Sequence, residues 1–430
     1  MELGDAKKRC GDVIERIERL TKITASCKRT LLKLARSELT FLSRVSSSST
    51  SSSSSSTPLS VNIGHLEAVV HILQHPFITG VSRVCKPIPL SPKTCFKHVH
   101  VDIVCTLNRN PVWIIVSHRN PKYITWRNES QTKEEGLQFR IQQLTGAAAR
   151  SALALKPSSL ILFFSHGLST ILSHQLKHEF GATDLMEEAG DWINVLVATT
   201  YQEACVFEIK VGGDAVFKDS CPNWEILEDH TPFFPAFSSL NLFSLDVKNT
   251  ETPKLGGDCH LVNFGTTALI ALVSGISNGG TEKLLATPET ELRQRFKGNY
   301  EFVIGQVMSE IQNPILVELS CSISGKRGII CESVHSEFKE LVSMFGGPNE
   351  KLRASHLLKY LTVVPDSPSK RMMSLPTTRK LALKNKVVFG TGDYWRAPTV
   401  TANMAFVRAV SQAGMSLFTI EHRPRALTGD

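Results

Sequence analysis

"VVFGTGDYWRAPTVTANMAFVRAVSQAG", residues 387–414, decides how the second half of the chain is read. Its opening residues are apolar and β-prone, and a glycine-framed aspartate, Asp393, follows them. Further on, residues 403–413 return to helical spacing. The expectation is a strand that ends at Asp393, then a capped helix. In open α/β sheets ligands gather at the carboxyl ends of strands, so Asp393 is expected to face one. The flanking segments follow the same alternation. "HLVNF" reads as a strand, and "TTALIALVSGI" as a helix capped by Thr266 or Thr267. After "GII" comes a helix with Val334, Phe338, Leu341 and Val342 on one face, closed by Gly346. "KYLTVVPDSP" and "MSLFTI" supply further strands. Strands alternating with helices predict an α/β domain whose mostly parallel sheet is covered on both faces.

The rest of the chain is long enough for a second domain, since 430 residues exceed one ordinary core. Residues 2–45 read as two antiparallel helices: Val13, Ile14, Ile17, Leu20 and Ile23 recur at helical spacing, and Leu31, Leu32, Leu34, Leu39, Phe41 and Leu42 form a second set. The serine run 46–57 has too little apolar surface to offset its ordering entropy and is expected to be disordered. Beyond it, "GHLEAVVHILQHP" reads as a helix, "VHVDIVCTL" and "VWIIVSH" as strands around the turn "NRNP", and "SLILFFSHG" and "WINVLVATT" as later strands with a helix between. The expected organisation is a helical hairpin with an α+β domain over 1–218, a Pro- and Gly-broken linker over 219–257, and the α/β domain over 258–430.

The net charge of +8 is mild for this length and permits an acidic partner without demanding one. The ten cysteines are scattered, form no C-x-x-C pair and outline no zinc framework, which is the usage of a reducing compartment. The first residues are charged, and the longest apolar stretch falls short of the ~20 residues that span a bilayer. The chain is therefore expected to be soluble and intracellular, in cytoplasm or nucleus, with no membrane contact.

Four carboxylates fall at or near the strand ends of the second domain. Asp366 and Asp393 follow apolar strands, while Glu332 and Glu337 open or enter the helix after "GII". Convergent carboxylates hold hard divalent cations, and two such ions about 4 Å apart clamp the oxygens of a phosphodiester. The bland alternative is a turn or cap, and it is the favoured one for Asp366, which precedes Ser-Pro. Around Asp393, the Thr391 hydroxyl, the amides of Gly390 and Gly392 and the N-terminus of helix 403–413 offer donors to a phosphate. Arg396, Arg408, Arg423 and Arg425 add positive charge, so RNA is the expected partner, with a protein as the other candidate.

The stretches "VNFGTTALIALVSGISNGG", "FGGPNEKLRASHLLKYLTVVPDSPS", "FGTGDYWRAPTVTANMAFVRA" and "HRPRALT" resemble the eukaryotic domain-of-unknown-function family 1308, over most of the chain and most strongly from 258 to 430. Its second half resembles PIN-like nuclease domains, which implies a three-layer α/β/α fold with four acidic positions. Carried over residue by residue, the first position falls on Gly265, a lost ligand. The second falls on Glu337, with Glu332 less regular; the third falls on Asp393 and the fourth on Asn403. The resemblance thus implies Glu337 and Asp393 as catalytic residues, and Glu337, Asp393 and Asn403 as the holders of at most a weakly bound Mg²⁺ or Mn²⁺. A degenerate acidic site of this kind is expected to belong to a non-catalytic RNA- or protein-binding module. The alternative is a divalent-metal-dependent ribonuclease.

Two weaker signals lie in the first half. "FFSHGLS" places Ser165 and His166 after a strand but lacks the G-x-S-x-G elbow of a hydrolase. Trp113 and Trp126 with Arg109, Arg119 and Arg127 could stack bases, though core packing is the favoured reading.

Overall fold

The computed structural model describes residues 3–48, 62–89, 98–127, 136–188, 200–211 and 261–430. The chain divides into two compact units: Met1–Phe217 with Val410–Leu417, and Lys218–Ala409 with Phe418–Asp430. The expected linker 219–257 lies outside the described residues, as do residues 49–57 of the serine run and all but Thr200 of "WINVLVATT". Among the described residues, no helix is long and apolar enough to cross a membrane.

In the first unit, helices Leu3–Arg19 and Ala25–Ser48 form where apolar spacing places them. Ala6, Cys10, Val13 and Ile17, three or four apart, make the buried stripe of the first. The second runs into the start of the serine run, so residues 46–48 are helical. Six strands form one sheet: β1 (Ile78–Pro89), β2 (His98–Leu107), β3 (Asn110–Ser117), β4 (Ser159–Phe164), β5 (Thr183–Asp184) and β6 (Cys205–Lys210). Their order is β1-β2-β3-β4-β6-β5, antiparallel except for the parallel β3–β4 pair. The turn between β2 and β3 puts Asn108 and Arg109 in the left-handed region, the geometry of a two-residue hairpin.

Both faces of this sheet are buried. Val112, Ile114, Val116, Ile161 and Phe163 join the core with helices Leu3–Arg19, Ala25–Ser48 and Ile63–Gln74. Trp113, Ile115, Leu160, Leu162 and Phe164 face helices Leu137–Arg150 and Thr170–Phe180. Sequence reasoning does not isolate β1, because Gly80, Pro87 and Pro89 read as turn formers; at a sheet edge such residues are tolerated.

The second unit holds a five-stranded sheet: β7 (Leu261–Phe264), β8 (Arg327–Cys331), β9 (Leu361–Val364), β10 (Thr399–Thr401) and β11 (Thr419–Glu421). The order is β11-β10-β7-β8-β9 and every pair is parallel. The chain therefore steps outward from β7 to β8 and β9, then returns to lay β10 on the other side of β7. The mixed α/β expectation and the parallel sheet hold.

The opening stretch does not fold as expected. Residues 387–394 are part of helix Leu383–Tyr394, not a strand. A three-residue apolar run cannot by itself distinguish a strand from a buried helix, and the parallel β9-to-β10 crossover requires a helix. Two smaller corrections follow: helix Thr266–Val273 is preceded at its cap by Gly265, not a threonine, and the last strand is confined to Thr419–Glu421.

Candidate functional site

The strand order changes direction between β7 and β10, and an open parallel sheet has its crevice at the carboxyl ends of the strands flanking such a point. Gly265 follows β7, and Ala402 and Asn403 follow β10. Thr266 Oγ1 donates to Glu337 Oε2 at 2.8 Å, drawing the carboxylate of helix Glu332–Phe345 to the start of helix Thr266–Val273. Lys384 Nζ, in the first turn of helix Leu383–Tyr394, pairs with Glu337 Oε1 at 2.6 Å. On the β10 side, Thr267 Oγ1 accepts from Ala402 N at 3.0 Å and lies 3.4 Å from Thr401 Oγ1. Asn403 Oδ1 accepts from Phe406 N at 3.2 Å, so the amide caps helix Met404–Gln412. The crevice therefore carries three threonine hydroxyls, one amide, one carboxylate and one exposed lysine. Thr401 and Lys384 escape sequence reasoning because neither sits in a recognisable spacing.

Asp393 is not in this crevice. It lies in the last turn of helix Leu383–Tyr394, nine residues beyond Lys384, which at about 1.5 Å per residue is roughly 14 Å along the axis. Its Oδ2 accepts from Ser369 Oγ at 2.6 Å and lies 3.1 Å from Arg371 Nε. The expected convergence of Glu337, Asp393 and Asn403 is thus not what the structure places together: Glu337 and Asn403 share the crevice, and Asp393 holds a different pair of elements. Asp366 caps, accepting from Ser333 N at 3.1 Å and from Ser333 Oγ at 3.0 Å at the start of the helix after β8. Glu332, the first residue of that helix, is exposed.

The phosphate cradle expected around Asp393 is occupied by packing. Thr391 is fully buried and its hydroxyl accepts from Ser367 N at 3.1 Å. A Cβ on Gly390 would lie 2.9 Å from Pro368 Cβ, and one on Gly392 would lie 2.3 Å from Thr399 Oγ1. These glycines admit close backbone approach rather than an anion. Arg425 is buried, with Nε 2.6 Å from Glu310 Oε2 and Nη2 3.3 Å from the Asn313 carbonyl. Arg423 is exposed and donates to Ser309 Oγ at 3.2 Å, and Arg396 is exposed with φ 50°. Of the four expected phosphate contacts, only Arg396 and Arg423 lie at the surface.

The "HRPRALTGD" segment is a clamp over buried acids. Glu350, with no exposed surface, accepts from the backbone amides of Gly275, Gly347, Thr428 and Gly429 and from the Thr428 hydroxyl. Residues 262–430 match the model of a family described as "Protein of unknown function (DUF1308)". This part of the chain belongs to the DUF1308 family. The DUF1308 match begins inside β7 and takes in the whole crevice and the clamp, a narrower span than the resemblance over most of the chain. No solved structure matches the chain.

Outside the DUF1308 region, the first unit does not assemble a serine hydrolase. Ser165 is buried and its hydroxyl donates to the Ser117 carbonyl at 3.2 Å, which makes its oxygen the acceptor for His118 Nδ1 at 2.8 Å. A base would have to accept from the serine, not donate to it. Trp113 and Trp126 are core residues whose indoles donate to Leu155 O and Glu179 Oε1, each at 3.0 Å, so neither offers a stacking face.

Proposed function

We propose that the DUF1308 region is a PIN-like, three-layer α/β/α module that binds single-stranded RNA without cleaving it. The observation that carries this reading is the separation of the acids. Glu337 is tied to Thr266 and Lys384 at the switch-point crevice, Glu421 lies on the far side of β10 beside Thr401, and Asp393 is engaged by Ser369 and Arg371. Gly265 contributes no carboxylate. Two-metal phosphodiester chemistry needs several anionic ligands at one point. Among the described residues, the one gathered set of three His, Cys, Asp or Glu side chains lies in the other unit. What the crevice does offer is a helix N-terminus, exposed Thr267 and exposed Lys384, groups suited to a phosphate oxygen.

The test is equilibrium binding of a short oligouridylate to the full chain across a salt series, with product analysis in Mn²⁺ and Mg²⁺. The expected result is salt-sensitive binding, intact RNA in both metals, and weaker binding in Lys384→Ala. Gly265→Asp, at a backbone of φ −81° and ψ 159° that any residue adopts and with its Cβ 3.3 Å from the Val400 carbonyl, is expected to gain Mn²⁺ affinity over the native chain. Metal-dependent cleavage lost in Asp393→Asn would restore the ribonuclease. Absence of any RNA affinity would leave a protein ligand as the occupant of the crevice.

A further inference from the structure

We propose that His65, Cys85 and Asp102 in the first unit form a zinc site. The three donor atoms lie within 4.8 Å of one another, with His65 Nε2 3.0 Å from Asp102 Oδ1. Helix Ile63–Gln74 supplies the imidazole, β1 the thiol and β2 the carboxylate. The carboxylate is fixed from behind, since Asp102 Oδ2 accepts from Val116 N on β3 at 2.8 Å. Such an outer hydrogen bond orients metal-binding carboxylates in known sites.

The β1–β2 pair is irregular at two places: a register shift between Thr79 and Arg83, which contains Gly80 at φ 56°, and the position of Cys85 and Asp102. Residues two or four apart on a strand share a face. Beside the position of Cys85 and Asp102 that rule fails on both strands: Val84 and Ile88 belong to opposite cores, and so do Val101 and Ile103. The break on β1 falls at Cys85, whose φ of 47° is left-handed, a strained conformation for a non-glycine residue. The break on β2 falls at Asp102, opposite Cys85 between the paired Val84–Ile103 and Lys86–Val101. Alternation continued from Val84 and Ile103 would send these side chains away from helix Ile63–Gln74. The distortion turns Cys85 onto the same core as Val84 and brings Asp102 within reach of His65.

The donor set selects the ion. Mg²⁺ and Ca²⁺ take oxygen ligands, while one nitrogen, one thiolate and one carboxylate oxygen suit Zn²⁺. Tetrahedral bonds of roughly 2.0–2.3 Å place donors about 3.4–3.7 Å apart, a modest adjustment from the observed cluster. Three protein ligands leave one position for water, since His65 and Asp102 keep 32% and 16% of their side-chain surface exposed. On binding, Zn²⁺ displaces the thiol proton to solvent and the Cys85 sulfur forms the Zn–S bond with its electron pair. Without a cation, burial and then the nearby Asp102 push that thiol up to about 12. No spacing announces the set, because its members are spread over three elements.

The experiment uses the full chain, stripped of metal and held in a non-thiol reductant, titrated with Co²⁺ and followed by absorption. The expected result is a thiolate-to-cobalt charge-transfer band with tetrahedral d–d bands, displaced by Zn²⁺. Cys85→Ser is expected to lose the charge-transfer band, and His65→Gln and Asp102→Asn to weaken binding by about tenfold or more, with unchanged circular dichroism. Cys205→Ser, in the same sheet, is expected to leave the spectrum intact. No charge-transfer band, or a band that survives Cys85→Ser in a folded chain, overturns the proposal.

Discussion

Arg423 and Arg425 are two residues apart in one motif and have opposite fates. Arg425 is packed inside against Glu310, whose carboxyl is pushed above its ordinary range by burial and drawn back in part by the guanidinium. Arg423 reaches the surface. Removing one partner of a buried ion pair strands the other, so Arg425→Ala is expected to destabilise the second unit by about 3–5 kcal/mol. Arg423→Ala is expected to stay within about 0.5 kcal/mol. Urea unfolding of both variants checks this, and equal effects would contradict the burial assignment. The charge of these residues was legible in the sequence, but which of them faces water was not. That depends on Glu310, 115 positions earlier, arriving at the same place.

At the scale of an element, helix Leu383–Tyr394 shows how a motif misleads. "FGTGD" has the look of an exposed ligand loop, yet Val388, Phe389, Gly390, Thr391 and Gly392 are all buried in a crossover helix. Intrinsic propensity makes Gly→Ala in a helix favourable by about 1 kcal/mol. Packing argues the reverse at Gly392, where a Cβ would lie 2.3 Å from Thr399 Oγ1 and 2.8 Å from Asn263 Nδ2. Gly392→Ala is therefore expected to lower stability by about 1–3 kcal/mol in a denaturant titration. A stabilised variant would show that the close approach is not what the glycine serves.

For the whole molecule, three histidines set the acid response. Burial, with the nearby charges of His71 and Lys22, lowers His75 to about 4. Burial and then His166 lower His118 to about 4. Burial lowers His422 to about 4, with Arg425 adding to it and the Arg423 carbonyl opposing it. Each folded pKa is below the ordinary 6.5, so the unfolded chain binds the proton first as pH falls. Their stabilising effect is complete above pH 6.5 and is lost progressively towards pH 4. Melting temperature measured from pH 8 to pH 4 is expected to fall across that window. The fall is expected to be smaller in His118→Asn, whose amide can keep the bond to Ser165. A profile flat from pH 6.5 to 4 would contradict the burial of all three.

By itself the sequence determined the local periods: the helices of the first fifty residues, the strands β3 and β4, and the strand–helix alternation that makes the second sheet parallel. These follow from side-chain spacing over a few residues, which neighbours in the chain enforce. It also located the family's region, and the resemblance there pointed to Gly265, Glu337, Asp393 and Asn403. Only the tertiary structure decided that Asp393 is engaged elsewhere, that Arg425 is an internal counter-ion, and that His65, Cys85 and Asp102 meet. Each of these is a relation between side chains far apart in the chain. Such relations are set by strand order and by breaks in alternation, and neither leaves a fixed spacing to read.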